Sequence, residues 1–328
     1  MNPAATGLDL TLRPFDAATD LRPMVELIGT VNAFDDVPYF PTVESLGIDW
    51  ESAPTFDPER DALLAFEGER LVAAAQLQWR ERDAKVVHPI EIWVRPDERR
   101  RGLGTRLLLW SEQRARAAVA DGSGGPADLP HVLHLGVPRH VTPGMAFAEA
   151  RGYAPIRYGF LMRRNLAEPI PDVALPEGLE IRPVVAEDHR QIWDADIEAF
   201  RDHWEASVRN DDDFVHFFRN PDLDTSMWQV AWDGGEVAGS IMNTIYPEEN
   251  ANVGLEVGWL DHVSVRRPWR GRGLASALIV RSLAVLRERG MAHAALGVDA
   301  ENPTGALGLY ERFGFRQHQQ WVSFRKPL

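Results

Sequence analysis

The sequence predicts an α+β protein of two related domains, each a mixed sheet with helices on both faces. Three observations predict it. First, the chain is written twice: LTLRPFDAATD at 10–20 matches LEIRPVVAEDH at 179–189, and RGYAPIRYGFLMRRNL at 151–166 matches FGFRQHQQWVSFRKPL at 313–328. Second, each copy carries a strand–glycine–strand hairpin, LLAFEGERLVAAAQL at 63–77 and WQVAWDGGEVAGSIM at 228–242. Third, each copy then runs through a strand, a basic glycine turn (RRRGLG at 99–104, RGRGLA at 270–275) and a helical segment.

The elements follow in order. Each half opens with a short alternating strand and a helix start; NAF at 32–34 matches EAF at 198–200 in the helix that follows. After the second hairpin comes the strand GLEVGWLDHVSVR. The helix LASALIVRSLAVLRERG places Leu274, Leu278, Ile279, Leu283 and Leu286 on one face and ends at Gly290. HAALGVDA is the next strand. NPTGALGLYERFG reads as a helix opening at Asn302 and Pro303 and stopping at Gly314. FRQHQQWVSFRKP is the last strand. RRNL and RKPL close the two halves at the same point, and Pro169, Pro171 and Pro176 mark a semi-extended linker. The expected division is a domain over 1–166, a proline-rich linker over 167–178 and a second domain over 179–328.

Bulk properties narrow the class. A chain of 328 residues, 45% hydrophobic, suits about two globular domains. A formal net charge of -14 argues against a general nucleic-acid or anionic-membrane surface. There is no cysteine, which removes disulfides, thiolate metal sites and cysteine nucleophiles. MNPAATGLDLTLRPF has no charged segment followed by an apolar core, and no apolar run reaches ~18 residues. A cytoplasmic protein without metal is the expectation.

The glycine turn carries the first chemistry. At a helix N-terminus free N–H groups and the positive end of the dipole converge on an anion. Gly271 and Gly273 let the backbone approach closely, and Arg270 and Arg272 add charge, so a phosphate or diphosphate is the expected ligand. No GxxxxGK[ST] and no GxGxxG followed by a distant acid is present, which disfavours a nucleoside triphosphatase or a dinucleotide fold. Taken alone, R-x-x-G-x-A also fits an ordinary helix start. Its context does not: a strand leads in, a long amphipathic helix leads out, and N-x-x-G-A-x-x-L-Y-x-x-x-G-F follows at 302–315.

With these motifs the unit resembles the GNAT superfamily of acyl-CoA-dependent N-acetyltransferases, and both halves share the resemblance, as in tandem two-domain members; no motif singles out a particular member. The resemblance implies a mostly antiparallel sheet in each half and acetyl-CoA as cosubstrate. Backbone amides over Gly271, Arg272, Gly273, Leu274 and Ala275 would hold the pyrophosphate. Val263, Ser264 and Val265 would pair with the pantetheine arm as an added strand. Asn302 would hydrogen-bond near the pantetheine, and Tyr310 would protonate the departing thiolate. The acceptor amine would attack the thioester directly in a ternary complex. The family often places a carboxylate on the strand before the turn. Asp261 is the first choice for this base, although the usual position is closer to Trp259; regular pairing turns His262 away unless a bulge intervenes, and Glu256 lies further back. A structural aspartate at 261 and a core tyrosine at 310 stay open as the plainer alternatives.

The copies are not equivalent. Arg99, Arg101, Gly102 and Gly104 keep the turn and form a candidate second CoA site, but Ala148 stands opposite Tyr310, His140 opposite Asn302, and Ile90 opposite Asp261. DGSGGPADL at 121–129 accounts for the extra length of the first copy. Chemistry is therefore expected in the C-terminal half. Phe200, His203 and Trp204 are candidates for a wall of the acceptor site, and Asp211, Asp212 and Asp213 either attract a cationic amine or form a solvated loop. The acceptor class that fits is a small-molecule amine. A non-catalytic acyl-CoA-binding sensor or scaffold would share the turn without needing Tyr310. Oligomeric state is open, since two fused copies can act as a pseudo-dimer.

Overall fold

A computed structural model describes residues 10–206, 208–302 and 305–328; the amino-terminal nine residues and Pro303, both used in the sequence reading, lie outside it. The chain forms two compact units, 1–136 with 325–328, and 137–324.

In the first unit the elements run β1 (Leu10–Pro14), α1 (Leu21–Asp35), α2 (Val43–Ser52), α3 (Pro58–Asp61), β2 (Ala62–Glu67), β3 (Arg70–Leu77), β4 (Arg80–Arg82), β5 (Lys85–Val94), α4 (Leu103–Asp121) and β6 (His131–Pro138). The sheet order is β1-β2-β3-β5-β6, with β4 hairpinned onto β5. All pairs are antiparallel except β5 with β6. The period-2 alternation of β3 explains the layers. Ala74 packs with Met24, Leu27 and Trp50 on the α1–α2 side, whereas Ala73 and Ala75 pack with Leu103 and Leu107 of α4.

The second unit holds α5 (Thr142–Ala150), β7 (Ala154–Asn165), β8 (Glu180–Ile181), α6 (His189–Phe200), α7 (Asp211–Phe217), β9 (Gln229–Asp233), β10 (Glu236–Ile245), α8 (Pro247–Val253), β11 (Val257–Val265), α9 (Leu274–Glu288), β12 (His293–Asp299), α10 (Ala306–Arg312) and β13 (Arg316–Pro327). The strand order is β13-β7-β12-β11-β10-β9-β8. Here too a parallel pair occurs, β11 with β12. The expected apolar face of α9 is buried in full: Leu274, Leu278, Ile279, Leu283 and Leu286 pack on Ile241, Leu260, Ala294 and Leu296. The opposite face, through Met242, Val230 and Trp232, meets Ile192 and Ala195 of α6.

Packing and sequence repeat divide the chain at different places. Strand β7 ends the first repeat in sequence, yet its C-terminal part pairs antiparallel with β12, from His293↔Asn165 to Asp299↔Gly159. Residues 325–328 end the second repeat and count with the first unit, where Leu328 N–H donates to His131 C=O (3.2 Å) and Lys326 Nζ to Glu112 Oε1 (2.9 Å). The proline-rich segment is not a free linker. Ile170, Val173 and Leu175 pack on the α9 core, and Arg281 donates to the Val173 carbonyl (3.2 Å). Among the described residues no helix is long and apolar enough to cross a membrane.

Candidate active site

The site begins where β11 hands over to α9. A single 3-10 turn at Arg267–Trp269 leads into Arg270, Gly271, Arg272 and Gly273. Gly271 (φ 73°) and Gly273 (φ 85°) lie in the left-handed region that only glycine enters without cost. The first helical bond is Ala277 N–H to Gly273 C=O, so the amides from Gly271 to Ala275 have no backbone acceptor among the described residues. Arg272 is exposed and makes no ion pair there, so it is available to an anion. Arg270 is not. Its Nε donates to Val265 C=O (2.9 Å), one terminal nitrogen to Asp202 (2.5 Å) and the other to Ala199 C=O (3.0 Å). The arginine read as a phosphate ligand instead ties the end of β11 to the end of α6. Hydrogen bonds from Arg267 and Arg270 in turn hold Asp202 well below the usual carboxylate range.

Upstream, β11 and β12 share only three parallel pairs, Val257↔His293, Gly258↔Ala294 and Trp259↔Ala295. Beyond Trp259 the two strands continue without pairing to each other. On its other edge β11 stays paired to β10 through Val263↔Ile241, Ser264↔Ser240 and Val265↔Gly239. The backbone of Val263–Val265 thus keeps one edge for an extended partner beside the glycine turn.

The register of β10 against β11 slips by one residue: Met242 faces His262 and Asn243 faces Leu260. Asp261 is the extra residue of a β-bulge, so the regular pairing expected from the sequence does not hold. The bulge places both neighbours in polar company on the side away from α9. Asp261 Oδ2 accepts from Tyr246 Oη (2.9 Å), and His262 Nδ1 lies 2.9 Å from Asp196 Oδ2 of α6. Asp261 stays solvent-accessible while protein crowds its carboxyl. That crowding pushes the carboxyl above its ordinary range, against the pull of the Thr244 and Tyr246 hydroxyls.

A second carboxylate joins this cluster. Glu249 of α8 is buried and accepts a hydrogen bond from Trp259 Nε1 (3.0 Å). Burial, reinforced by the nearby negative charge of Asp261, pushes it up to about 7. Its sequence setting, PEEN between a hairpin and a strand, carried no signal; only the fold brings α8 beside the bulge. Glu256, by contrast, engages the chain through its carbonyl, which accepts from Ala292 and His293 N–H.

Tyr310 lies on α10, the helix after β12. That helix starts at Ala306 with Gly305 as its cap, not at Asn302 as the sequence suggested. Asn302 instead precedes it, its N–H bonded to Asp299 C=O (3.2 Å). The Tyr310 ring is 6% exposed and packs edge-on against Phe315, but its hydroxyl has no hydrogen-bond partner among the described residues. Burial pushes the phenol up to about 12, so it carries its proton at neutral pH.

Two of the acceptor-wall candidates meet the cluster. Phe200 is 4.3 Å from His203 and 5.7 Å from His262, ring centre to ring centre. Trp204 stacks instead under the Arg157 guanidinium (5.1 Å). Asp211, Asp212 and Asp213 form the first turn of α7, capped by Asn210, with Asp211 paired to Arg190 (2.6 Å). They are a helix start.

In the first unit the turn has the same backbone, with Gly102 at φ 88° and Arg106 N–H bonded to Gly102 C=O. Its side chains differ. Arg99 is locked to Val94 C=O (3.2 Å) and Asp35 (2.6 Å), Arg101 pairs with buried Glu98, and Gly104 lies inside α4. The β3–β5 pairing shows no bulge from Leu77↔Ile90 to Ala73↔Val94, so Asp261 has no counterpart there, at Ile90 or elsewhere.

Known proteins share this fold. The profile of the Acetyltransferase (GNAT) family matches the chain twice, over residues 27–122 and 189–315. A mycothiol acetyltransferase of Geodermatophilus obscurus is 34% identical over 240 residues, 72% of this chain and 73% of that one. Its namesake in Thermobispora bispora is 31% identical over 265 residues, 80% and 83% of the two chains. A GCN5-related N-acetyltransferase from Sphaerobacter thermophilus superposes with a TM-score of 0.72 at 28% identity, covering 97% of this chain and 95% of that one. A tandem GNAT protein from the clavulanic acid biosynthesis pathway shares the fold, with a TM-score of 0.68 at 18% identity over 97% and 98% of the chains.

Proposed function

The chain belongs to the GNAT acetyltransferase family, and on that premise we propose that its C-terminal half moves an acetyl group from acetyl-CoA to the amine of a small molecule, by direct attack in a ternary complex. One observation carries this reading: the gap after Trp259↔Ala295 runs from an open-amide helix start at Gly271–Ala275 to the carboxylate cluster at the bulge. The turn amides and Arg272 take the pyrophosphate, and Val263–Val265 take the pantetheine arm. Asn302, three residues past the end of β12, is assigned a hydrogen bond near that arm. No metal is needed.

The amine nitrogen attacks the thioester carbon, the C–S bond breaks, and the thiolate departs. Asp261 meets the incoming amine as a carboxylate that Tyr246 holds in place. Tyr310 donates its O–H to the departing sulfur. With its phenol at about 12, and a thiol ordinarily near ~8.5, this donation stabilises the thiolate chiefly as a hydrogen bond. Phe200 and His203 wall the acceptor. The acidic cluster favours a cationic amine, and the relatives named mycothiol acetyltransferase support a small-molecule acceptor.

The test is a screen of small primary amines with acetyl-CoA, read by free thiol. Because the protein has no cysteine, the readout has no protein background. Thiol release with at least one amine, matched by N-acetyl product in the mass spectrum, is expected. Thermal stabilisation by acetyl-CoA with no thiol release across the screen overturns the proposal in favour of a non-catalytic binding module.

A further inference from the structure

Glu249 has no role in the reaction as described so far, yet it sits beside the bulge. It reaches that place on α8, the connection between the two strands whose register slips at Asp261. The Trp259 indole fixes one carboxylate oxygen at 3.0 Å. The other has no hydrogen-bond partner among the described residues, and it is not one of the solvent-excluded orphan atoms of the structure. One oxygen is thus anchored and the other is open.

We propose that Glu249 is the proton acceptor of the acetyl transfer, with Asp261 holding the substrate ammonium beside it. The proposal rests on the acetyltransferase reading of this site. The ammonium gives one proton to the Glu249 carboxylate. The neutral amine attacks the thioester carbon, the C–S bond breaks, the second proton passes from the new amide nitrogen to the departing thiolate, and protonated Glu249 returns its proton to solvent after product leaves.

Two carboxylates in one place divide this work through their surroundings. Asp261 accepts a hydrogen bond from the Tyr246 hydroxyl (2.9 Å), and the nearby Thr244 hydroxyl favours its ionised form. Glu249 has a single indole donor, and three charged or titratable neighbours act on it or feel it: Asp261 from β11, Arg163 from β7, and Tyr246 from the residue before α8. The negative charge of Asp261 favours a proton on Glu249, while Arg163 opposes it. Burial adds to the first effect, leaving Glu249 about 7, where a base is half ionised at neutral pH and still basic enough to take a proton. Trp259 of β11 thus holds the carboxylate of another element.

The experiment compares the full-length parent, E249Q and W259F. With the amine found by the thiol screen, the parent kcat/KM should rise with pH through a group near 7. E249Q should lose that limb and about 100-fold in kcat, with the acetyl-CoA KM changed less than about threefold. Acetyl-CoA binding by E249Q, measured calorimetrically, shows that the variant is folded. E249Q with the parent's kcat and the parent's pH limb overturns the proposal. A parent that transfers acetyl to no amine overturns the acetyltransfer reading instead. A second measurement needs no acceptor: the indole N–H resonance of Trp259, assigned by its loss in W259F, should titrate with a midpoint near 7 and be flat in E249Q. No midpoint between about 5 and 9 overturns the proposal independently.

Discussion

Arg99 and Arg270 make the same contacts in the two halves. Each donates its Nε to the carbonyl of the last residue of the preceding strand, Val94 or Val265, and each spends its guanidinium on an acid at or just past the end of its half's first long helix, Asp35 or Asp202. The leading arginine of the motif is therefore scaffold in both copies. What separates the copies lies around it. The first turn is preceded by Asp97 and Glu98, and Glu98 occupies Arg101. The second is preceded by Pro268 and Trp269, whose indole caps Asp233, and Arg272 is left for a ligand. The first has Arg100 at φ 67° where the second has Gly271 at φ 73°. A shared motif can thus report a shared fold while the neighbouring residues decide whether an anion is welcome.

Tyr310→Phe tests the largest difference. Its kcat should fall about 100-fold with acetyl-CoA binding intact, while Ala148→Tyr in the first copy should create no activity. An unchanged Tyr310→Phe removes Tyr310 from the chemistry. Next comes the turn. Gly273→Val should weaken acetyl-CoA binding by about tenfold or more, because strain and a side chain both disturb the open amides. Gly102→Val should leave binding unchanged, with one acetyl-CoA per chain by calorimetry. A stoichiometry of two breaks the comparison.

The two arginines should then behave alike. Arg99→Ala and Arg270→Ala should each cost about 2 kcal/mol of stability, within the range for hydrogen bonds to charged groups. A loss of affinity in Arg270→Ala without a loss of Tm would return that side chain to the phosphate site.

The halves should also respond to pH in opposite directions. Burial first, then the neighbouring His131, lowers buried His88 to about 4 from 6.5. The folded state binds fewer protons than the unfolded one across that window, so the first unit loses stability as pH falls from 6.5 to about 4. Glu249 is raised from 4.5 to about 7, so the folded state holds the extra proton and stability is lost as pH rises through that window. Chemical denaturation of His88→Gln and Glu249→Gln between pH 4 and 8 should flatten one slope each. The smallest effect is Arg100→Gly, expected to add about 0.5–1 kcal/mol by relieving a left-handed non-glycine residue. A loss of stability there means that the arginine side chain contributes more than its backbone costs.

Much of the molecule was legible in the sequence. Periodicity gave away the hairpins and the buried face of α9, and internal similarity exposed the duplication. Of the proposed site, the sequence foretold the left-handed backbone at Gly273 and the place of Tyr310 on the helix after β12. The rest is non-local. A bulge is one extra residue against a partner strand that the sequence does not name, so Asp261 and His262 looked opposed when they share a side. Arg270 turns inward because Asp202 and Ala199 wait there, which no motif records. Glu249 had no pattern at all until α8 folded beside Trp259.

The exchange of terminal segments has a consequence for synthesis. Strand β7 is complete at Asn165, but its partner β12 begins at His293. At about 5–20 residues per second a ribosome needs on the order of ten seconds or more to make the intervening chain. Throughout that wait β7 presents one edge with nothing yet made to cover it from that side, the kind of surface that invites pairing with a neighbouring nascent chain. The first unit waits longer still, because its segment 325–328 is made only after the rest of the second unit. A gene cut at the apparent boundary near residue 166 would therefore yield two fragments that each lack a piece of their own sheet, and co-expression of both should rescue what neither can build alone.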